Sequence, residues 1–240
     1  MRARLNAVAK DILAAYDKAG PSAASSVTPG MLVSALDVFF GDCERIDRQY
    51  GPGSQVMGED ISTLSDQIFD CLYDLASWAD RLGLRPIRIK VIDISLDVAQ
   101  WCMRHGGQLR QIGPLVAALA NRANLASSLE ACTALADAYE AVIANVATRL
   151  QSDHLSKDPQ RPWRQLLVNG AIVATRARDL RRMERAYRRL EAHLPSECPA
   201  FFERANHQVS GLGFSVEARA LVRVRMQRWS RAAQPGDPQS

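Results

Sequence analysis

At 240 residues, with 47% hydrophobic and 23% charged side chains, the chain has the composition of a soluble globular protein able to bury a core in one domain or two. No apolar run approaches the ~18 residues of a membrane span, and the five cysteines (Cys43, Cys71, Cys102, Cys132, Cys198) are odd in number and contain no Cys-x-x-Cys, which argues against a zinc site or a disulfide framework. The net charge of +4 is uneven: −6 over residues 1–80, +2 over 81–160 and +8 over 161–240.

Helix signals recur along the chain. Lys10 and Asp11 interrupt the apolar stretch that a signal peptide needs, so the first segment reads as a helix of about Ala3 to Lys18, striped by Leu5, Val8, Ile12 and Tyr16. Gly20-Pro21 stops it, and a Ser/Ala-rich link follows. Thr28-Pro29 has the form of a helix start, because proline needs no partner for an amide it lacks. That helix should run to Tyr50 and end at Gly51-Pro-Gly53. A third is expected from Thr63, with Leu64, Ile68, Leu72, Leu75, Ala79 and Leu82 on one face.

The segment Ile87 to Val98 admits two readings. Ile87-Arg-Ile-Lys-Val91 alternates like a strand, while Ile87, Val91, Ile94, Val98 and Trp101 keep a helical 4-3-4-3 spacing after Pro86. Helix is the preferred one. A short helix after Pro114 and a long one from about Ser127 to Leu150 follow, then a polar loop at 151–161. From Pro162 to Trp229 the pattern is helix, turn, helix, twice, and the residues from Ala232 read as a disordered tail. The expected division is 1–30 (helix and linker), 31–150 (helical region), 162–231 (paired helices) and 232–240 (tail). Helices with short connections predict an all-α fold of antiparallel pairs, a solenoid or a bundle.

Within the last third, Asp179 to Pro195 places Leu180, Met183, Tyr187, Leu190 and Leu194 on one stripe and arginines on the other. A shift of ~34 residues returns apolar positions: Leu167 meets Phe201, Ala171 meets Ala205, Leu180 meets Phe214, Tyr187 meets Leu221 and Leu190 meets Val224. In these features 162–229 resembles a degenerate tetratricopeptide repeat. It departs from that pattern at the usual Gly, at Ala174 and Gln208 in place of Tyr, at Met183 and Glu217 in place of the central Ala, and in lacking a closing proline after the second unit. The resemblance implies a partner-binding lining from the first helix of each unit: Gln165, Val168, Ile172, Thr175 and Arg176, then Phe202, Asn206 and Val209. Of the residues that grip a terminal carboxylate in chaperone-binding members, only Asn206 fits.

No phosphate loop, nucleophile elbow or His-Glu-x-x-His is present, and His105, His154, His193 and His207 lie far apart. Asp66, Asp70 and Asp74 stack on one helix face, readable as a solvated face or a cation site. Asp93 and Asp97 call for Arg or Lys partners if buried. Arg178, Arg181, Arg182, Arg185, Arg188 and Arg189 cover one helix, and Arg219, Arg223, Arg225 and Arg228 another. The expectation is a scaffold without enzymatic activity, metal or cofactor, binding a protein or peptide in a bacterial cytoplasm, with self-association through the opposite charges of the two ends open. Two alternatives stand beside it: a nucleic-acid-associated protein using the C-terminal arginines, or an enzyme without a linear motif.

Overall fold

The computed structural model describes residues 1–20, 27–53, 58–151, 161–211 and 213–232. Among them the chain forms eleven α-helices, a 3-10 turn and one isolated β-bridge, so the fold is all-α. In chain order these are α1 (Arg2–Ala19), α2 (Pro29–Tyr50), α3 (Gly58–Arg81), α4 (Arg85–Arg104), α5 (Gly113–Leu125) and α6 (Leu129–Asn145). There follow α7 (Thr148–Gln151), α8 (Pro162–Arg176), α9 (Leu180–His193), α10 (Cys198–Val209) and α11 (Val216–Ala232). The predicted link after Gly20, most of the loop after Gln151, and the tail lie outside the described residues.

Local chemistry accounts for several boundaries. Thr28 caps α2, its hydroxyl accepting the Met31 amide at 3.3 Å, with Pro29 in the first helical position. The ambiguous Ile-rich segment is α4: its β-branched residues bury Ile87, Val91, Ile92, Ile94 and Val98, a spread too wide for one strand face. The third helix starts at Gly58, ahead of the expected Thr63. Ile61, 1% exposed, extends the Ile68–Leu72–Leu75 stripe by two turns, and the Ser62 hydroxyl accepts the Gln108 amide at 2.8 Å. The expected helix from Ser127 to Leu150 is broken instead after Asn145. There Leu109 donates to the Asn145 carbonyl and accepts from the Ala147 amide, both at 2.9 Å, drawing those groups out of the helical ladder.

Two compact units result, and they cut the chain differently from the expected division. The first comprises 1–121 with 145–147. Here α1 packs on α2 and α4, and α3 on α2 and α4, which closes a four-helix ring. Leu5, Ile12, Leu36, Phe40, Ile68, Phe69, Val91, Val98 and Trp101 fill it. Arg4 of α1 bridges Asp93 and Asp97 of α4, with 2.6 Å to Asp97, supplying the partner those carboxylates require. Asp47 of α2 accepts from the Trp101 indole at 3.0 Å and meets His105 Nε2 at 2.6 Å, tying the C-terminal ends of α2 and α4 together.

The second unit comprises 122–144 and 148–240. In it α8 pairs with α9 and α10 with α11, while α10 packs on α8 and α11 on α9. First helices thus stack on first, and second on second. Asp179 caps α9 by accepting the Arg182 amide at 2.8 Å. Tyr187 lies edge-on to Phe201 and Phe202, with centroids 5.6 and 5.2 Å away, and Trp229 Nε1 donates to Glu191 at 3.0 Å. Helix α6 lies against α8 at Gly170, where an added Cβ would be 3.4 Å from Tyr139. It also meets α9 through Asp137 with Arg182 (2.8 Å, bidentate) and Glu140 with Arg189 (2.8 Å).

Candidate interaction surface

The buried positions of the two helix pairs match at a shift of 35 residues, although the helices themselves start 36 residues apart. Trp163 and Cys198, Leu166 and Phe201, Leu167 and Phe202, Gly170 and Ala205, Ala174 and Val209 are equivalent and all buried. In the second helices Met183 matches Ala218 and Tyr187 matches Val222, again all buried. The 34-residue alignment expected from sequence is one residue short. A slip of one position turns a helix by ~100°. It paired buried Leu190 with Val224, which is 63% exposed.

Burial also corrects the expected lining. On α8, Gln165, Val168, Ile172 and Arg176 do share one partly exposed strip, and Asn169, which sequence reasoning missed, belongs to it. Thr175 does not: it is 1% exposed, donating to the Ala171 carbonyl at 2.8 Å and sharing a 2.7 Å hydrogen bond with the Tyr187 hydroxyl. On α10, Phe202 (0%) and Val209 (1%) are core, and Asn206 is half-buried at the edge of the buried stripe. The residues equivalent to the α8 strip are Ala200, Glu203, Arg204, His207 and Gly211, all exposed. Signal for them existed in the polar run Glu203-Arg-Ala-Asn-His-Gln208, read with the right period.

Electrostatics in this unit are largely internal. Of the arginines singled out from sequence, Arg182, Arg185, Arg188, Arg189 and Arg225 face Asp137, Glu140, Glu184, Glu140 and Glu191 respectively. The hydrogen bond from Arg182 holds the Asp137 carboxyl below its ordinary range. Burial pushes the Tyr187 phenol up to about 12, against the opposing effect of its Thr175 hydrogen bond.

Other sequence candidates are placed as follows. Asp70 and Asp74 are exposed, whereas Asp66 is half-buried with Arg110 at 3.8 Å. Among the described residues no group of three His, Cys, Asp or Glu is arranged to hold a metal ion. All five thiols are free, four of them buried and Cys71 half-buried. His105 is buried against Asp47, His193 stacks edge-on to Trp163, His207 is exposed, and His154 lies outside the described residues. Among the described residues no helix is long and apolar enough to cross a membrane. No family model, curated protein or solved structure matches the chain.

Proposed function

We propose that the second unit is a tetratricopeptide-like helical scaffold that binds a protein segment along the exposed strip of α8 and its equivalent on α10. The observation that carries this reading is the like-on-like stacking of the pairs, α8 on α10 and α9 on α11. Such stacking leaves first-helix faces in series. On α8 that face mixes Val168 and Ile172 with Gln165, Asn169 and Arg176, the apolar centre and polar rim of a non-obligate interface. Apolar burial supplies most of the affinity, while Arg176, Arg204 and Glu203 steer approach and register. The free thiols suit the reducing cytoplasm in which we place this activity. A nucleic-acid role is the weaker alternative, since five of the ten candidate arginines already meet carboxylates.

Photo-crosslinking from an unnatural residue at position 172 in cells tests the reading. A discrete adduct, lost on Val168→Asp and absent from position 224, is expected. The same adducts from both positions, or none from 172, would contradict it.

A further inference from the structure

The second unit holds a polar recess of about 460 Å³, lined by Ser127, Ser128, Leu129, Cys132, Arg176, Arg178, Gln208 and Phe214. No carboxylate lines it. Its volume is that of a small-molecule site. Two arginines face it from the end of α8, although residues two apart on a helix point to nearly opposite sides. Arg178 resolves this by leaving the helix in the left-handed conformation, φ 55, the only residue other than glycine to do so among the described residues.

Both guanidinium groups are held in place, and neither by an acid. Arg176 donates from Nη1 to the Ala123 carbonyl at 2.7 Å and from Nη2 to that of Ala126. Arg178 lies 5.0 Å over the Phe214 ring and donates to the Gly213 carbonyl at 3.3 Å. At Gly213 (φ +90) a Cβ would overlap the Arg178 guanidinium, so that glycine leaves it room. These bonds leave further N–H donors on each arginine, in a fork suited to phosphate oxygens. By contrast Arg164, Arg182, Arg185, Arg188, Arg189 and Arg225 all face carboxylates.

The start of α6 forms the opposite wall. The Ser128 hydroxyl accepts the Ala131 amide at 3.0 Å and the Ser128 carbonyl that of Cys132 at 3.1 Å. The amides of Leu129 and Glu130 stand outside the helical ladder, adding partial positive charge to that of the arginines. Leu129 and Phe214 supply apolar surface. We infer that this recess binds a small phosphomonoester, its dianionic phosphate held by Arg176 and Arg178 and its organic part set against Leu129 and Phe214. This inference shares Arg176 with the strip on α8 but is tested through Arg178, which lies outside that strip, so either can fail without the other.

Calorimetric titration of the full chain with phenyl phosphate tests it. Saturable binding in the millimolar range or tighter is expected, weakened about tenfold or more in Arg178→Gln. Arg178→Gly, which removes the left-handed arginine and so keeps or raises thermal stability, abolishes binding as well. Arg223→Gln, at an exposed arginine outside the recess, leaves it unchanged. No saturable binding, or equal loss in Arg223→Gln, overturns the site. Benzoate binding as tightly as phenyl phosphate overturns the assignment to a dianion.

Discussion

Single side chains in this protein act as ties between helices, and their removal has unequal costs. The Thr175 hydroxyl sits between its own helix and Tyr187, so Thr175→Val leaves a buried phenol without a partner. A loss of about 1–3 kcal/mol is expected from urea unfolding, whereas Tyr187→Phe, which leaves Thr175 bonded to Ala171, should lose only about 0.5–1.5 kcal/mol. In the first unit Asp47→Ala deprives the buried Trp101 indole of its acceptor and should cost a similar 1–3 kcal/mol or so, with a shift in tryptophan emission. The thiols give a pH signature. Burial raises Cys43 and Cys198 from the ordinary 9.0 to about 12. Because the folded value is the higher one, keeping these thiols protonated contributes stability that is whole below pH 9 and is lost as pH rises toward about 12. At pH 8 a thiol reagent should therefore modify half-buried Cys71 first, and the buried cysteines only once urea unfolds the chain.

At the scale of the helix, the 35-residue register makes a prediction that the 34-residue one reverses. Val222 is 0% exposed and Val224 63%. Val222→Ala should cost about 1–3 kcal/mol and Val224→Ala less than about 0.5 kcal/mol in chemical unfolding. Gly170 is where α6 and α8 approach, 3.4 Å from Tyr139 and 3.5 Å from Ile143 to an added Cβ. Gly170→Leu should therefore destabilise by about 1–3 kcal/mol through overpacking, while Gly170→Ala stays near neutral because its helix propensity offsets the tight contact. Helix existence was legible because caps and stripes are local: Thr28-Pro29 and Asp179 each mark a helix start without reference to the rest of the chain, whereas Ile87–Val98 also alternated like a strand and only its burial on several sides settles it as helix. Register between the pairs was not, because the first helices offer adjacent apolar residues, Leu166-Leu167 against Phe201-Phe202, that can be matched at either period. Burial discriminates: at 34 residues buried Leu166 would meet exposed Ala200 and buried Leu190 would meet exposed Val224. The end of α6 was equally hidden, since it depends on Leu109, a residue 36 positions away in sequence.

For the molecule as a whole, the chain forms two compact units. The first closes its helices on themselves around Trp101, Phe40 and Phe69, while the second stacks them in series and leaves one side of α8 partly open. The arginine excess of the last third was legible as a charge imbalance, but its use was not. The carboxylates that meet Arg182, Arg185 and Arg189 come from α6, more than 40 positions upstream, so pairing emerges only in the fold. Labelling of single introduced cysteines, in a background with Cys71→Ser, tests most directly whether that stacking presents the strip to solvent. In native protein Ile172→Cys and Glu203→Cys should react at least about a hundredfold faster than their neighbours Thr175→Cys and Phe202→Cys, which react only through local opening. Equal rates at 172 and 175, or faster labelling at 202 than at 203, would contradict the 35-residue stack and the surface built on it.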